Sequence, residues 1–130
     1  MRARSSRWNG SSWAKHLKAR VGRMILINVR FKPLPENVEN FRELVKDFTD
    51  ASRAEEGNIF FDWYRNEDNP DEYLLIEAFQ DDAAEAHVNS DHFKAAQEFF
   101  PTILKETPTI INTLIEGKTE WDEMAEFKVS

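Results

Sequence analysis

The chain predicts an α+β domain with ferredoxin-like order, β-α-β-β-α-β, in which helices cover one face of a four-stranded sheet. Three observations carry this reading. Four short segments alternate apolar and other residues at the two-residue period of a strand. Two longer stretches repeat apolar residues at helical spacing. The two middle strand segments are separated only by a turn-rich run, short enough for a hairpin.

In chain order, residues 24–31 (MILINVRF) place Ile25, Ile27, Val29 and Phe31 on one face and Leu26, Asn28 and Arg30 on the other. Pro33 and Pro35 end that strand. A helix is expected from 36 to about 55, with Phe41, Leu44, Val45, Phe48 and Ser52 as its inward stripe and Gly57 as its stop. Residues 58–65 (NIFFDWYR) form an aromatic-rich second strand, closed by NEDNPDE, and residues 73–79 (YLLIEAF) form the third. Asp81 and Asp82 open a second helical region that breaks at Asn89-Ser90. Ser90 is a good N-cap, and Asp91 adds a carboxylate to the new helix's positive first turn. Past Phe93, Ala96, Phe99 and Phe100, residues 109–116 (TIINTLIE) supply a β-branched fourth strand.

Strand two carries large apolar residues on both sides: Ile59, Phe61 and Trp63 on one, Phe60 and Tyr64 on the other. Sheets buried on both faces show this pattern. With no third layer in the sequence, a second copy of the chain is the simplest cover, so a homodimer with sheets packed face to face is expected.

Charge divides the chain. Residues 1–23 hold seven Lys/Arg and no acid; from Met24 onward ten Lys/Arg face 24 Asp/Glu, a formal net of −14. The reading is a basic flexible leader at 1–23, a domain at 24–117 and a tail at 118–130. The leader's Arg/Ser-rich character is faintly like an organelle transit peptide; a tag or an early start fits as well. So acidic a body argues against nucleic acid and anionic membranes as partners. No apolar run approaches the ~18 residues of a span. The absence of cysteine excludes disulfides and thiolate chemistry and agrees with a cytoplasmic setting.

Residues 55–96, EEGNIFFDWYRNEDNPDEYLLIEAFQDDAAEAHVNSDHFKAA, resemble the antibiotic-biosynthesis monooxygenase family, including its small quinol-monooxygenase-like members. The carriers are Glu56-Gly57, Glu77, Ala86-His87, Ser90 and His92-Phe93. The resemblance implies a dimeric α+β barrel with a pocket between sheet and helices, oxidising a phenolic or quinol substrate with O₂ and neither metal nor flavin. Haem-degrading members of the superfamily have a histidine after FKAA. Here Gln97 stands there and His87 stands where they carry a Trp, so haem is not expected.

On this reading His92 or His87 is the proton acceptor and Asn28 positions an oxygen, the three catalytic candidates. Phe48, Trp63, Tyr64, Glu77, Phe93 and Gln97 are the substrate-binding candidates. Each has a plainer reading: core packing for the aromatics, a hydrogen-bonded strand residue for Asn28, and pairing with Arg30 or Arg65 for Glu77. On a continuous helix the two histidines lie about 140° apart, so they make no i, i+4 metal pair. No metal spacing is visible elsewhere. Two other functions stay open: isomerase or lyase action on a small carbonyl metabolite, as in the autoinducer-processing branch, and a stress-associated binding barrel without turnover.

Overall fold

The structure, a computed structural model, describes residues 22–130; the expected leader falls almost wholly outside the described residues. Its strands are β1 (Arg23–Phe31), β2 (Asn58–Arg65), β3 (Tyr73–Gln80) and β4 (Thr109–Glu116). They form one antiparallel sheet in the order β2-β3-β1-β4, the order that the predicted connectivity requires. Strand one starts a residue earlier than expected. Arg23 is buried and ion-paired with the buried Asp81, so it belongs to the domain and not to a leader.

The first helical region corrects the expectation of one helix over 36–55. Pro35–Asn37 makes a single 3-10 turn; α1 covers Phe41–Leu44 and α2 covers Lys46–Arg53. The Tyr73 hydroxyl donates to the Val38 carbonyl at 2.6 Å, which keeps that carbonyl from a helical amide. Between α1 and α2 the backbone of Val45 leaves helical geometry, at φ −101° and ψ 14°. The inward stripe survives the break: Phe41 and Val45 are fully buried, and Phe48 packs against the core.

That core lies between the helices and the sheet face bearing Ile25, Ile27, Val29, Phe31, Phe61, Trp63, Leu75 and Phe79. Aromatic rings fill one end of it, with Phe31 and Trp63 centroids 5.2 Å apart and Phe41 and Tyr73 4.7 Å apart. The Trp63 indole donates to Thr49 Oγ1 at 2.8 Å, and Thr49 donates onward to the Val45 carbonyl. A register shift at Ile59 makes a bulge early in β2. Just before it, Gly57 approaches the next helical region so closely that a Cβ there would stand 2.0 Å from the Ala83 Cβ.

Among the described residues, no helix covers the other sheet face. Leu26, Asn28, Phe60, Leu74 and Ile76 are half-buried there, while Tyr64 and Ile111 are exposed. Part of the tail reaches this face, with the Trp121 ring 5.7 Å from Phe60. The second helical region folds as the sequence predicts. A 3-10 turn at Asp81–Ala83 leads into α3 (Ala84–Val88), the chain breaks at Asn89-Ser90, and α4 runs Asp91–Ile103.

Candidate active site

The break between α3 and α4 builds the site. Ser90 Oγ accepts from the Phe93 amide at 3.1 Å, capping α4, and donates to the His87 carbonyl at 2.7 Å. This double tie turns α4 back on α3. His87 and His92 therefore converge instead of diverging as they would on one helix, with ring centroids 6.0 Å apart.

Both imidazoles meet one carboxylate that the sequence reading missed. Glu55 follows α2, and its Oε2 lies 2.7 Å from His87 Nδ1 and 2.5 Å from His92 Nε2. A carboxylate can only accept, so the network assigns a proton to His87 Nδ1 and leaves Nε2 with its lone pair. Burial pulls the His87 pKa below its ordinary value, against the hydrogen bond and charge of Glu55, which favour the cation. His87 is itself buried, with its ring centroid 4.4 Å from that of Phe79.

Nε2 faces Glu77. The carboxyl Oε1 of Glu77 lies 3.8 Å from His87 Nε2, is buried, and has no hydrogen-bond partner. The expected pairing with Arg30 or Arg65 does not occur. Arg30 donates to Thr109 Oγ1, and Arg65 forms a bidentate pair with Glu39. Burial first, and the neighbouring Glu55 charge second, push the Glu77 pKa up to about 8. Glu77 is thus a carboxylic acid at neutral pH, able to donate a hydrogen bond.

A cavity of ≈ 670 Å³ opens on this pair, walled by Phe48, Phe93, Phe100 and Ile27, with Gln97 contributing an amide. That volume suits a small aromatic molecule. Of the sequence candidates, Phe48, Glu77, His87, Phe93 and Gln97 line it; His92 joins through Glu55. Three do not join. Trp63 is spent in the core, and Tyr64 is exposed on the helix-free face. Asn28 lies opposite Ile76 and Ile111, while its neighbours Ile27 and Val29 line the cavity. Strand alternation therefore turns Asn28 away from the histidines, and it cannot position an oxygen beside them within this chain.

Residues 24–98 match the family described as Antibiotic biosynthesis monooxygenase. The chain belongs to that family. A curated relative named "Putative monooxygenase YcnE", from Bacillus subtilis (strain 168), is 31% identical over 72 residues, covering 55% of this chain and 76% of the relative. Among solved structures, a conserved protein from Methanosarcina mazei Go1 superposes with a TM-score of 0.66 at 24% identity, covering 75% of this chain and 97% of that one. A Nitrosomonas europaea protein named "Putative antibiotic biosynthesis monooxygenase" gives 0.65 at 24% identity, covering 71% and 89%. These two likenesses establish the ferredoxin-like fold. Family membership supports a monooxygenase-like function in general terms. Among the described residues no helix is long and apolar enough to cross a membrane.

Proposed function

We propose that the chain oxidises a small quinol or phenol with O₂, the substrate itself supplying the electrons and neither metal nor flavin taking part. The observation that carries this is the Glu77–His87 pair at the cavity wall. Two polar atoms 3.8 Å apart can both reach one oxygen placed about 2.8 Å from each. A substrate hydroxyl there donates its proton to His87 Nε2 while the Glu77 carboxylic acid donates to the same oxygen. The phenolate that forms is stabilised by a donor aimed at its developing charge. Glu55 holds the His87 tautomer and steadies the imidazolium, and His92 links that carboxylate toward solvent.

The electron count closes on the substrate. A hydroquinone anion gives four electrons to O₂; one oxygen atom enters a ring carbon and the other leaves as water. The product is a hydroxyquinone. The same acid–base pair suits enolisation of a small carbonyl compound, which is the runner-up reading.

Oxygen uptake by chelator-treated protein with a panel of hydroquinones tests the proposal. One O₂ per quinol, with one labelled oxygen in the product from ¹⁸O₂, is the expected result. No uptake, with deuterium exchange into small ketones, moves the assignment to the runner-up; neither activity leaves a binding barrel. A homodimer belongs to the same proposal, because the helix-free face otherwise leaves Tyr64 and Ile111 in water. Sedimentation showing a folded monomer at micromolar concentration counts against that part.

A further inference from the structure

We propose that Glu55, His87 and His92 form a binding site for one divalent transition cation of the zinc class. The cation is not required for quinol oxidation.

The three residues offer one carboxylate oxygen and two imidazole nitrogens, all within 4.8 Å of one another. Two imidazoles and a carboxylate are a donor set that zinc takes, at about 2.0–2.2 Å per bond, with a water in the remaining position. Such bonds hold tetrahedral ligand atoms roughly 3.3 Å apart. Here Glu55 Oε2 stands 2.7 and 2.5 Å from the two nitrogens, so these separations must open by roughly 0.6 and 0.8 Å to reach the tetrahedral spacing. The groups that must adjust are those with freedom to do so. Glu55 lies in the connection after α2 and His92 in the first turn of α4, and both side chains are partly exposed. His87 is the fixed post. The exposed edge of His92 gives the cation its way in.

A second observation points independently to the same ligand. Metal-bound histidines commonly donate their other ring N–H to a carboxyl group, which fixes the ring and strengthens its basicity. With a cation on His87 Nδ1, the ring proton moves to Nε2. The group facing Nε2 is Glu77 Oε1, which is buried and has no hydrogen-bond partner. The cation-bound arrangement turns an N–H toward this oxygen, and a closure of the 3.8 Å gap by roughly 0.8 Å completes the hydrogen bond. It also removes the lone pair from Nε2, so a bound cation and a working base are alternative states of one histidine.

The test is direct binding to the full chain without substrate, so its outcome is separate from that of oxygen uptake. Calorimetric titration with Zn²⁺ should show one site per chain in the micromolar range or tighter. Co²⁺ should give the intense visible bands of a four- or five-coordinate site, removed by excess Zn²⁺. His92→Ala and Glu55→Gln, with unchanged circular dichroism, should each weaken binding by at least the 10–100-fold typical of a lost supporting ligand. No Zn²⁺ binding at millimolar concentration overturns the proposal, as does equal affinity in both variants. Should either variant fail to fold, the wild-type cobalt spectrum decides: only the weak bands of hexaaqua Co²⁺ sink the idea.

Discussion

Glu77 and Asn28 are polar residues on adjacent strands of one sheet, at neighbouring levels of its register. Glu77 is paired with Ile27, and Asn28 with Ile76. One step along the strand puts them on opposite faces, with opposite consequences. Glu77 points under the helices, loses its water and holds its proton until about pH 8. Asn28 is half-buried on the opposite face, turned away from the cavity that Glu77 lines. Under the proposed function, the same sheet would offer one face for the reaction and the other for self-association. Burial beside a cavity converts a polar side chain into a chemical group, whereas the open side asks only that it be solvated or covered.

The largest effect should come from the reactive face. His87→Ala removes the proton acceptor and should lower kcat for hydroquinone oxidation by roughly 10²–10⁴-fold. Circular dichroism and sedimentation should be unchanged. Loss of turnover within twofold of wild type would take His87 out of the chemistry.

Next comes the oxyanion donor. Glu77→Leu should cost on the order of 10²–10³ in kcat, while Glu77→Gln, which keeps an N–H donor, should recover much of that loss. The wild-type rate should fall as pH rises through about 8, where Glu77 gives up its proton. Glu77→Gln should abolish that alkaline limb. An alkaline limb unchanged in the variant assigns it to another group.

Glu77 also makes stability depend on pH. Its folded pKa lies above its ordinary value of 4.5, so between 4.5 and about 8 the folded state binds more protons than the unfolded one. Stability is therefore full below 4.5, declines as pH rises, and is lost by about pH 8, by up to a few kcal/mol. The Tm of wild type should drop from pH 6 to pH 9 by several degrees more than that of Glu77→Gln. Parallel profiles would show that Glu77 is not the group responsible.

The smallest effect is reserved for the other face. Asn28→Ala should change turnover by less than about threefold, since it touches no part of the acid–base pair, and should act on self-association instead. A catalytic loss as large as that of His87→Ala would place Asn28 in a partner's cavity and undo the separation of faces.

Much of this was legible in the residues. The alternation in 24–31 already assigned Ile27 and Asn28 to different faces, and three of the four strand starts agree with their patterns. Ser90 announced its cap, because a capping signal acts over three residues. Glu55 could not be read in this way. It meets histidines 32 and 37 residues away, and no local period encodes a contact made by folding α2 against α4. The 140° separation of the histidines held only for an unbroken helix. The break that Ser90 marks is what cancels it. Asn28 was a candidate on the resemblance alone: the strand pattern separates two faces, and the cavity lies on the one that Asn28 does not share.

Gly57 gives the last of these contacts a tolerance. The gap between its α-carbon and Ala83 is too small for a methyl group, and the Gly57 carbonyl is tied to the Gln80 amide at 2.8 Å. Glu55 is two residues before this pinch and His87 four residues after Ala83, so both are measured from a common benchmark. Any side chain at 57 would act as a shim, spreading the two segments and shifting Glu55 relative to His87. A residue outside the cavity thus helps to align the Glu55–His87 contact.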